Sequence, residues 1–293
     1  MHQVACFGEI LWDNFPTGRK PGGAPMNVAL NLNKLRVKSE IISSVGEDQD
    51  GEDLASFLLQ CGLTTQYIQH HKTLPTGFVD VILDKNKQAT YNIVKPVAWD
   101  KIQYTQSLTD LISSSDALVF GSLACRNKTS HQTLLKLLPE CKLAIFDMNL
   151  RPPHFEINLL EDLMNKCHIL KINEHELEYL EQRYSLKKAT TETQIKTISN
   201  LTNTAIIVLT LGDKGASILH QGTIYNHPGF PVRVTDTVGA GDAFLAAFIS
   251  GYLRKLPMQK TLTLACATGA LVASRTGANP DYSIDEILKI SNI

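Results

Sequence analysis

The sequence has no excess of basic charge. Its 28 lysine and arginine residues are balanced by 29 aspartate and glutamate residues, which gives a formal net charge of −1 at pH 7. Proteins that bind the phosphate backbone of DNA or RNA carry a basic excess or a clustered basic surface. The composition therefore predicts a protein that does not bind nucleic acid.

Long apolar runs are also missing. No stretch approaches the roughly 20 apolar residues that a membrane-spanning helix requires. The N-terminus lacks the basic start and long apolar run of a secretory leader. We therefore expect a cytoplasmic protein that does not insert into membranes.

Paired cysteines are a third absence. The six cysteines are dispersed, with no Cys-x-x-Cys pair and no metal-type spacing to histidine. This dispersion disfavours a zinc site and a disulfide framework. We expect reduced and mostly buried thiols at all six positions, which are Cys6, Cys61, Cys125, Cys141, Cys167 and Cys266.

What the sequence does contain is a regular alternation of two patterns. Six short runs rich in Val, Ile, Leu and Phe have the continuous apolar character of buried parallel strands. These runs are Val4–Phe7, Glu40–Val45, Ala117–Gly121, Leu143–Met148, Ile169–Ile172 and Ala205–Leu211. Segments with helical periodicity lie between them, namely Asn27–Leu35, Gly51–Gln60, Ser130–Leu138, Asn173–Arg183, Thr193–Leu201 and Ala243–Leu253. The alternation predicts a doubly wound α/β fold, with a mostly parallel sheet flanked by helices, in one domain over residues 1–293.

The stretch from Thr76 to Trp99 departs from that pattern. Gly77–Leu83 alternates between apolar and polar residues, Asp84–Lys87 is a polar turn, and the alternation resumes over Gln88–Val94. This is the pattern of a β-hairpin. It predicts a small sheet that stands off the main body, and the alternative is an antiparallel edge of the main sheet.

A glycine-rich turn precedes the apolar helix predicted near the C-terminus. Gly239, Ala240 and Gly241 are followed directly by Asp242 and a run of small and apolar residues. Backbone N–H groups at a helix start are unpaired and carry the positive end of the helix dipole, and small residues let an anion approach them. The turn therefore predicts an anion-binding site.

Asp242 lies at this helix start, where a carboxylate kept ionised by the local field can accept a proton from a bound hydroxyl. An anion site beside a base is suited to phosphoryl transfer. The alternative interpretation is a helix N-cap. A P-loop is excluded because Asp242 stands where it needs lysine, and a dinucleotide fingerprint is excluded because Phe244 replaces its third glycine.

Two segments resemble the signatures of the ribokinase-like sugar kinases, the phosphofructokinase B family. They are the stretch Asp-Thr-Val-Gly-Ala-Gly-Asp that ends at Asp242, and Pro-Gly-Gly-Ala-Pro-Met-Asn-Val-Ala, which begins at Pro21. The resemblance implies that Gly22 and Gly23 let the backbone approach a sugar and that Asn27 binds its hydroxyls. It also implies ATP-dependent phosphorylation of the sugar, under a small β lid formed from about residues 11–20 and 75–99.

Further matches cover nearly the whole chain, and each implies a role. Asp13, in Gly-Glu-Ile-Leu-Trp-Asp, matches the family's sugar-binding carboxylate. Asn173 and Glu176 match an Asn-x-x-Glu motif linked to phosphate and to water-held Mg²⁺.

The resemblance also implies a nucleotide loop that contains Thr210, Gly212 and Gly215. It implies a monovalent-cation site, for K⁺, near Asp236, Val238 and the loop around Gly277. The late helix has Ala265 and Cys266 where relatives often place an asparagine against adenine.

The segments around Trp99, Ser122 and Asn149 are most similar to bacterial fructokinases, so the resemblance implies that D-fructose is converted to fructose 6-phosphate. The alternatives are 2-keto-3-deoxygluconate, with Arg151 on its carboxylate, or another sugar or nucleoside of the family's range. Arg126 is a weaker candidate for binding the substrate, and either arginine could instead form a structural ion pair.

An alternative of another class is a non-catalytic nucleotide- or sugar-binding protein. Some family members pair their lids, which leaves a homodimer through the lid open.

Overall fold

The computed structural model describes residues 2–15, 18–83, 89–186 and 189–291. Its main sheet has nine strands in the spatial order β13-β12-β11-β10-β9-β8-β1-β4-β5. Those strands are β1 Gln3–Phe7, β4 Lys38–Gly46, β5 Ile68–His71, β8 Ala117–Gly121, β9 Ala144–Asp147, β10 Ile169–Asn173, β11 Ile206–Thr210, β12 Ala216–His220 and β13 Thr223–His227. All pairings are parallel except those of β11 with β12 and of β12 with β13. The predicted α/β class and its parallel strands are confirmed.

Helices cover both faces of this sheet. They are α1 Ala24–Lys34, α2 Gln49–Gln60, α3 Gln106–Ser114, α4 Lys128–Leu137, α5 Ile157–Lys166, α6 Glu174–Arg183, α7 Thr191–Thr202, α8 Ala240–Leu253, α9 Met258–Ala273 and α10 Ile284–Ser291. Side chains alternate along a strand, so Val4 and Cys6 of β1 pack with α1, α8 and α9, whereas Ala5 and Phe7 pack with α3 to α5. This alternation explains why the central strands are apolar on both faces.

A second, separate sheet contains four strands in the order β3-β2-β6-β7. They are β2 Leu11–Phe15, β3 Gly18–Gly22, β6 Gly77–Leu83 and β7 Ala89–Ile93. The predicted small sheet is therefore confirmed, and the alternative of an edge on the main sheet is wrong. The predicted turn at Asp84–Lys87 lies outside the described residues.

The small sheet lies at the carboxyl end of the main sheet because β2 begins four residues after β1 ends. Its apolar side chains Leu11, Val79 and Ile93 are buried in one cluster with Trp99 and Leu123. Within the described ranges, no helix has the length and apolar character needed to cross a membrane. Of the cysteines, Cys61 is exposed and Cys141 is half-buried, while the other four are buried as expected.

Candidate active site

A cleft of about 720 Å³ opens where the parallel strands end, beneath the small sheet. This is the edge at which open α/β sheets bind their ligands. Ten of the residues singled out from the sequence line the cleft, namely Asp13, Gly23, Asn27, Arg151, Asn173, Thr210, Val238, Gly239, Gly241 and Asp242. They come from both ends of the chain and from its middle, and the fold brings them together.

The glycine turn forms the start of α8. Gly239 is the residue before the helix and adopts a left-handed conformation, with φ of 77°. A Cβ at this position would lie 2.3 Å from the carbonyl oxygen of Ala278, so a larger residue would displace the turn. Gly241 faces the cleft in the first turn of α8, where backbone N–H groups lack intrahelical partners. The amide of Ala240 donates a hydrogen bond of 3.3 Å to the carbonyl of Thr237.

Asp242 is half-buried in the cleft, in the first turn of α8. The N-cap of this helix is Gly239, so the alternative interpretation of Asp242 as the N-cap is wrong. Asn27 Nδ2 donates a hydrogen bond of 2.7 Å to Asp242 Oδ2. Burial and the nearby Asp147 raise the pKa of Asp242 to about 6, against the lowering effects of Asn27, Lys171 and Arg151. Burial and Asp147 together outweigh these three groups, so the pKa of the Asp242 carboxyl lies above that of an ordinary aspartate.

The ion pair of Lys171 and Asp147 is a feature that the sequence interpretation missed. Lys171 Nζ lies 2.9 Å from Asp147 Oδ1, and both side chains are 6% exposed. Burial lowers the pKa of Lys171, but Asp147, Glu176 and Asp242 together raise it above its ordinary value, so the amine stays charged. Lys171 Nζ also lies 3.5 Å from where a Cβ of Gly241 would be. A fixed positive charge therefore stands beside the glycine turn, where the sequence predicts an anion-binding site.

The residues predicted to bind the sugar, here called the sugar-side residues, lie on β2, on β3 and at the start of α1. Gly22 pairs with Leu11 next to Asp13, and burial raises the pKa of Asp13 to about 6 while Arg151 lowers it. Gly23 immediately precedes α1, which carries Asn27. A second missed carboxyl, Glu9, lines the cleft at 3% exposure, and its Oε2 has no hydrogen-bond partner among the described residues. Burial raises the pKa of Glu9 to about 7.

The two arginines singled out from the sequence have different environments. Arg151 is exposed and lines the cleft, and its Nη1 donates to the carbonyl of Leu150. The described residues contain no ion pair of Arg151. Arg126, in contrast, is buried against Asp100 with a 2.7 Å ion pair and stacks on Trp99. Arg126 is therefore a structural residue and Arg151 is available to a ligand.

Two of the residues predicted to bind the nucleotide, Asn173 and Thr210, lie at the ends of β10 and β11. Thr210 and Asn173 line the cleft, while Gly212 and Gly215 lie in the turn between β11 and β12, outside the cleft lining. Asn173 and Glu176 form a capping box at the start of α6. Ala265 and Cys266 are buried in α9.

The proposed metal residues are already hydrogen-bonded within the protein. Glu176 accepts N–H groups of Leu150 and Asn173 and is 3% exposed, so it does not fit as a direct Mg²⁺ ligand. In the parts of the chain that the structure describes, no cluster of three or more His, Cys, Asp or Glu residues could hold a metal ion. Asp236 accepts N–H groups of Val238 and Gly277, which joins the two loops of the predicted monovalent-cation site.

A nine-stranded main sheet, a separate four-stranded sheet and a cleft that contains Asp242 are the features of the ribokinase-like kinases. Residues 3–285 match the model described as "pfkB family carbohydrate kinase". The chain belongs to this family and is a sugar kinase. The resemblance found in the sequence is therefore confirmed.

Three relatives illustrate what the chain is similar to. The uncharacterized sugar kinase PH1459 of Pyrococcus horikoshii is 32% identical over 308 residues, with 98% of this chain and 94% of the relative covered. Its structure in complex with ATP has a TM-score of 0.83 at 29% identity, with coverage of 98% and 97%. Fructokinase-2 of Solanum lycopersicum is 26% identical over 312 residues, covering 94% and 92%. A structure of a Vibrio cholerae fructokinase double mutant with fructose, ADP and potassium ion has a TM-score of 0.82 at 24% identity, with coverage of 99% of this chain and 98% of the other.

Proposed function

We propose that this sugar kinase transfers the γ-phosphoryl group of ATP to D-fructose and forms fructose 6-phosphate, with Asp242 as the base. The observation that carries the proposal is the position of the Asp242 carboxylate in the first turn of α8, where it accepts a hydrogen bond from Asn27 and lines the same cleft as Asp13. The similarity to fructokinases of two organisms supports fructose as the substrate.

In the proposed reaction, ATP binds along Thr210 and Asn173 with its γ-phosphoryl group at the α8 turn. Asp242 takes the proton of the C6 hydroxyl, and the hydroxyl oxygen forms a bond to the γ-phosphorus. The bond from that phosphorus to the oxygen bridging it to the β-phosphate breaks, and ADP leaves. The turn amides and Lys171 stabilise the transferring group, since such electrostatic preorganisation is the main contribution in phosphoryl transfer.

A role for Mg²⁺ also belongs to the proposal. Mg²⁺ usually keeps several waters and is held by phosphates plus one or two carboxylates. Bound with the nucleotide, Mg²⁺ would neutralise negative charge on the phosphates. Asn173 and Glu176 would hold its water shell, because Glu176 is too enclosed for direct contact. K⁺ near Asp236 and Val238 stays a prediction.

The small sheet is proposed to act as a lid over the sugar. Its buried Val79 and Ile93 line the cleft together with Leu11, so the sheet presents an apolar surface that excludes water from the reaction. Exclusion of water limits wasteful ATP hydrolysis. A homodimer through the outer face of the lid stays a prediction, as does the description of residues 1–293 as one domain.

The second candidate substrate is 2-keto-3-deoxygluconate. The observation that favours it is the exposed guanidinium of Arg151 in the cleft, which is free to hold a carboxylate bidentately. A coupled assay of ADP release with fructose, 2-keto-3-deoxygluconate, ribose and adenosine separates the candidates. ADP release with fructose alone supports the proposal, and release with the keto acid alone contradicts it. A protein that binds ATP and releases no ADP with any acceptor is the non-catalytic alternative.

A further inference from the structure

A chain of side-chain hydrogen bonds runs from the C-terminal loop to Asp242. The Tyr282 hydroxyl donates to Asn31 Oδ1 at 2.6 Å, and Asn31 Nδ2 lies 3.4 Å from Asn279 Oδ1. Asn279 Nδ2 then donates to Asn27 Oδ1 at 2.6 Å, and Asn27 Nδ2 donates to Asp242 at 2.7 Å. Three consecutive carboxamides therefore connect a phenol to the carboxylate proposed as the base.

The four hydrogen bonds between these side chains all run in one direction, with the donor on the Tyr282 side and the acceptor on the Asp242 side. Each carboxamide accepts at its oxygen and donates at its nitrogen, so a reversal at one member forces a reversal at the next. Two fixed acceptors set this direction independently. An ionised Asp242 only accepts hydrogen bonds, and the backbone carbonyl of Asn27, which also only accepts, receives a 2.8 Å bond from Asn31 Nδ2. Both ends therefore favour the same orientation of all three amides.

The members beyond Asn27 do not line the cleft. Asn31 is fully buried, and Asn279 and Tyr282 are half-buried on the loop that follows α9. Lys34 holds this loop, because its Nζ donates to the carbonyls of Asn279 and Pro280 at 3.2 and 2.8 Å and lies 5.1 Å from the Tyr282 ring centroid. The side chains of Asn279, Asn31 and Tyr282 are thus connected to Asp242 through the side chain of Asn27.

We propose that Asn279, held by Asn31 and Tyr282, is a positioning residue that orients the Asn27 amide so that its nitrogen faces Asp242. This orientation stabilises the ionised carboxylate and fixes its direction. The inference rests on the proposed function of Asp242. If Asn27 turned over, its oxygen would face Asp242 and would accept a hydrogen bond only from the protonated, inactive carboxyl.

Other charged groups face Asp242 from the neighbouring strands. They are Glu9 after β1, Asp147 at the end of β9, Arg151 in the following loop and Lys171 on β10. The substitutions chosen as tests leave all four of them in place. In a variant that adds no charge, a change in the titration of Asp242 then reports the orientation of Asn27, whereas an added carboxylate would also raise the pKa of Asp242 by direct repulsion.

The test uses two substitutions of Asn279 in the full chain. Asn279→Leu removes both hydrogen bonds without adding charge. Asn279→Asp nearly preserves the shape but places an acceptor against Asn27 Oδ1, which favours the turned amide. We expect kcat to fall about tenfold with Leu and further with Asp, with the KM for ATP unchanged. We also expect the acidic limb of the pH profile of kcat/KM to move up by roughly one unit, because loss of the Asn27 donor raises the pKa of Asp242.

A purely structural role would lower the melting temperature without moving the acidic limb. Tyr282→Phe is the conservative third variant, since it removes only the hydroxyl at the far end, and we expect a smaller upward shift of the limb. If both Asn279 variants fail to fold, Tyr282→Phe decides the question. An acidic limb that coincides with that of the wild type in every folded variant overturns the proposal.

The Asp242 carboxyl carbon can also be titrated by NMR in wild type and variants, and this readout needs no turnover. A wild type without ADP release for any sugar contradicts the proposed function. An Asp242 titration that is unchanged in the folded variants contradicts the hydrogen-bond chain alone. The two failures are therefore distinguishable.

Discussion

Gly22 and Asp13 lie side by side on the β2–β3 ladder, so close that a Cβ at Gly22 would lie 2.2 Å from Asp13 Oδ2. The absence of a side chain at Gly22 therefore allows the Asp13 carboxylate to take its position in the cleft. Glycine is needed at position 22 because the Asp13 carboxylate comes too close for any side chain there.

Gly22→Ala is predicted to displace Asp13 and weaken sugar binding. A hydrogen bond to a charged group contributes about 1.5–3 kcal/mol, so kcat/KM for the sugar should fall about ten- to hundredfold. The KM for ATP should stay near the wild-type value. Gly121→Ala is the control, because its Cβ would meet only the Asp147 carbonyl oxygen at an ordinary 3.5 Å. Equal sugar kinetics in Gly22→Ala and wild type would show that Asp13 does not bind the sugar.

Lys171→Met is predicted to destabilise the fold as well as slow the reaction. Removing one partner of a buried ion pair leaves the other charge uncompensated, which costs about 3–5 kcal/mol of unfolding free energy. Urea denaturation measures this loss. Lys196→Met, which breaks the exposed pair with Glu192, is the control and should cost less than about 1 kcal/mol. Adding Asp147→Asn to Lys171→Met should recover part of the stability, and a double variant as unstable as the single one would argue against the pair.

The pH dependence of kcat/KM is predicted to show an acidic limb near pH 6. Asp242 must be ionised to accept a proton, and its pKa is raised to about 6 by burial, so activity is present above this pH and is lost as pH falls through it. Asp13 has a pKa of about 6 as well. Glu9, in the same cleft, has a pKa raised to about 7. The limb that persists when Asp13→Asn and Glu9→Gln are combined therefore belongs to Asp242. Full activity of wild type at pH 4.5 would be inconsistent with this assignment.

Substitutions at the two glycines of the α8 turn are predicted to differ. Gly239→Ala should lose both stability and turnover, because φ is 77° and the added Cβ would meet the Ala278 carbonyl. Gly241→Ala should keep its stability, since the Cβ would enter the cleft 3.5 Å from Lys171 Nζ. Gly241→Ala keeps the backbone N–H, but its methyl group would hold the transferring group away from that amide, and loss of one such contact lowers turnover by about 10²–10³-fold. Thermal unfolding and ADP release measure the two effects, and parallel losses in both variants would refute the distinction.

Much of the fold followed from residue patterns. Continuous apolar strands such as Ala117–Gly121 are buried on both faces, which makes their pattern distinctive, and this strand was predicted with the bounds that the structure has. The antiparallel pair β12 and β13 was not predicted. Thr223–His227 is only partly buried, so its apolar pattern is weak. Helix α9 was implied only by the family resemblance at Ala265 and Cys266, because it is apolar around most of its circumference and gives little periodicity.

Site residues with a local motif were predicted, and those without one were missed. Asp242 and Gly239 belong to a contiguous turn, so the sequence itself brings them together. The ion pair of Lys171 with Asp147 joins different strands. One signal for it was the presence of lysine in the otherwise apolar run Ile169–Ile172, because a lysine in a buried strand requires a partner. Asn279 had no such signal, since it lies 252 positions from Asn27.

The most direct test of the account is ADP and sugar phosphate formation from ATP and fructose, with wild type and Asp242→Asn compared. Asp285→Asn on the exposed start of α10 is the matched control. The account predicts one fructose 6-phosphate per ADP for wild type and control. For Asp242→Asn it predicts a folded protein that still binds ATP and has lost turnover. Turnover in Asp242→Asn near the wild-type rate would contradict the central role of this carboxylate.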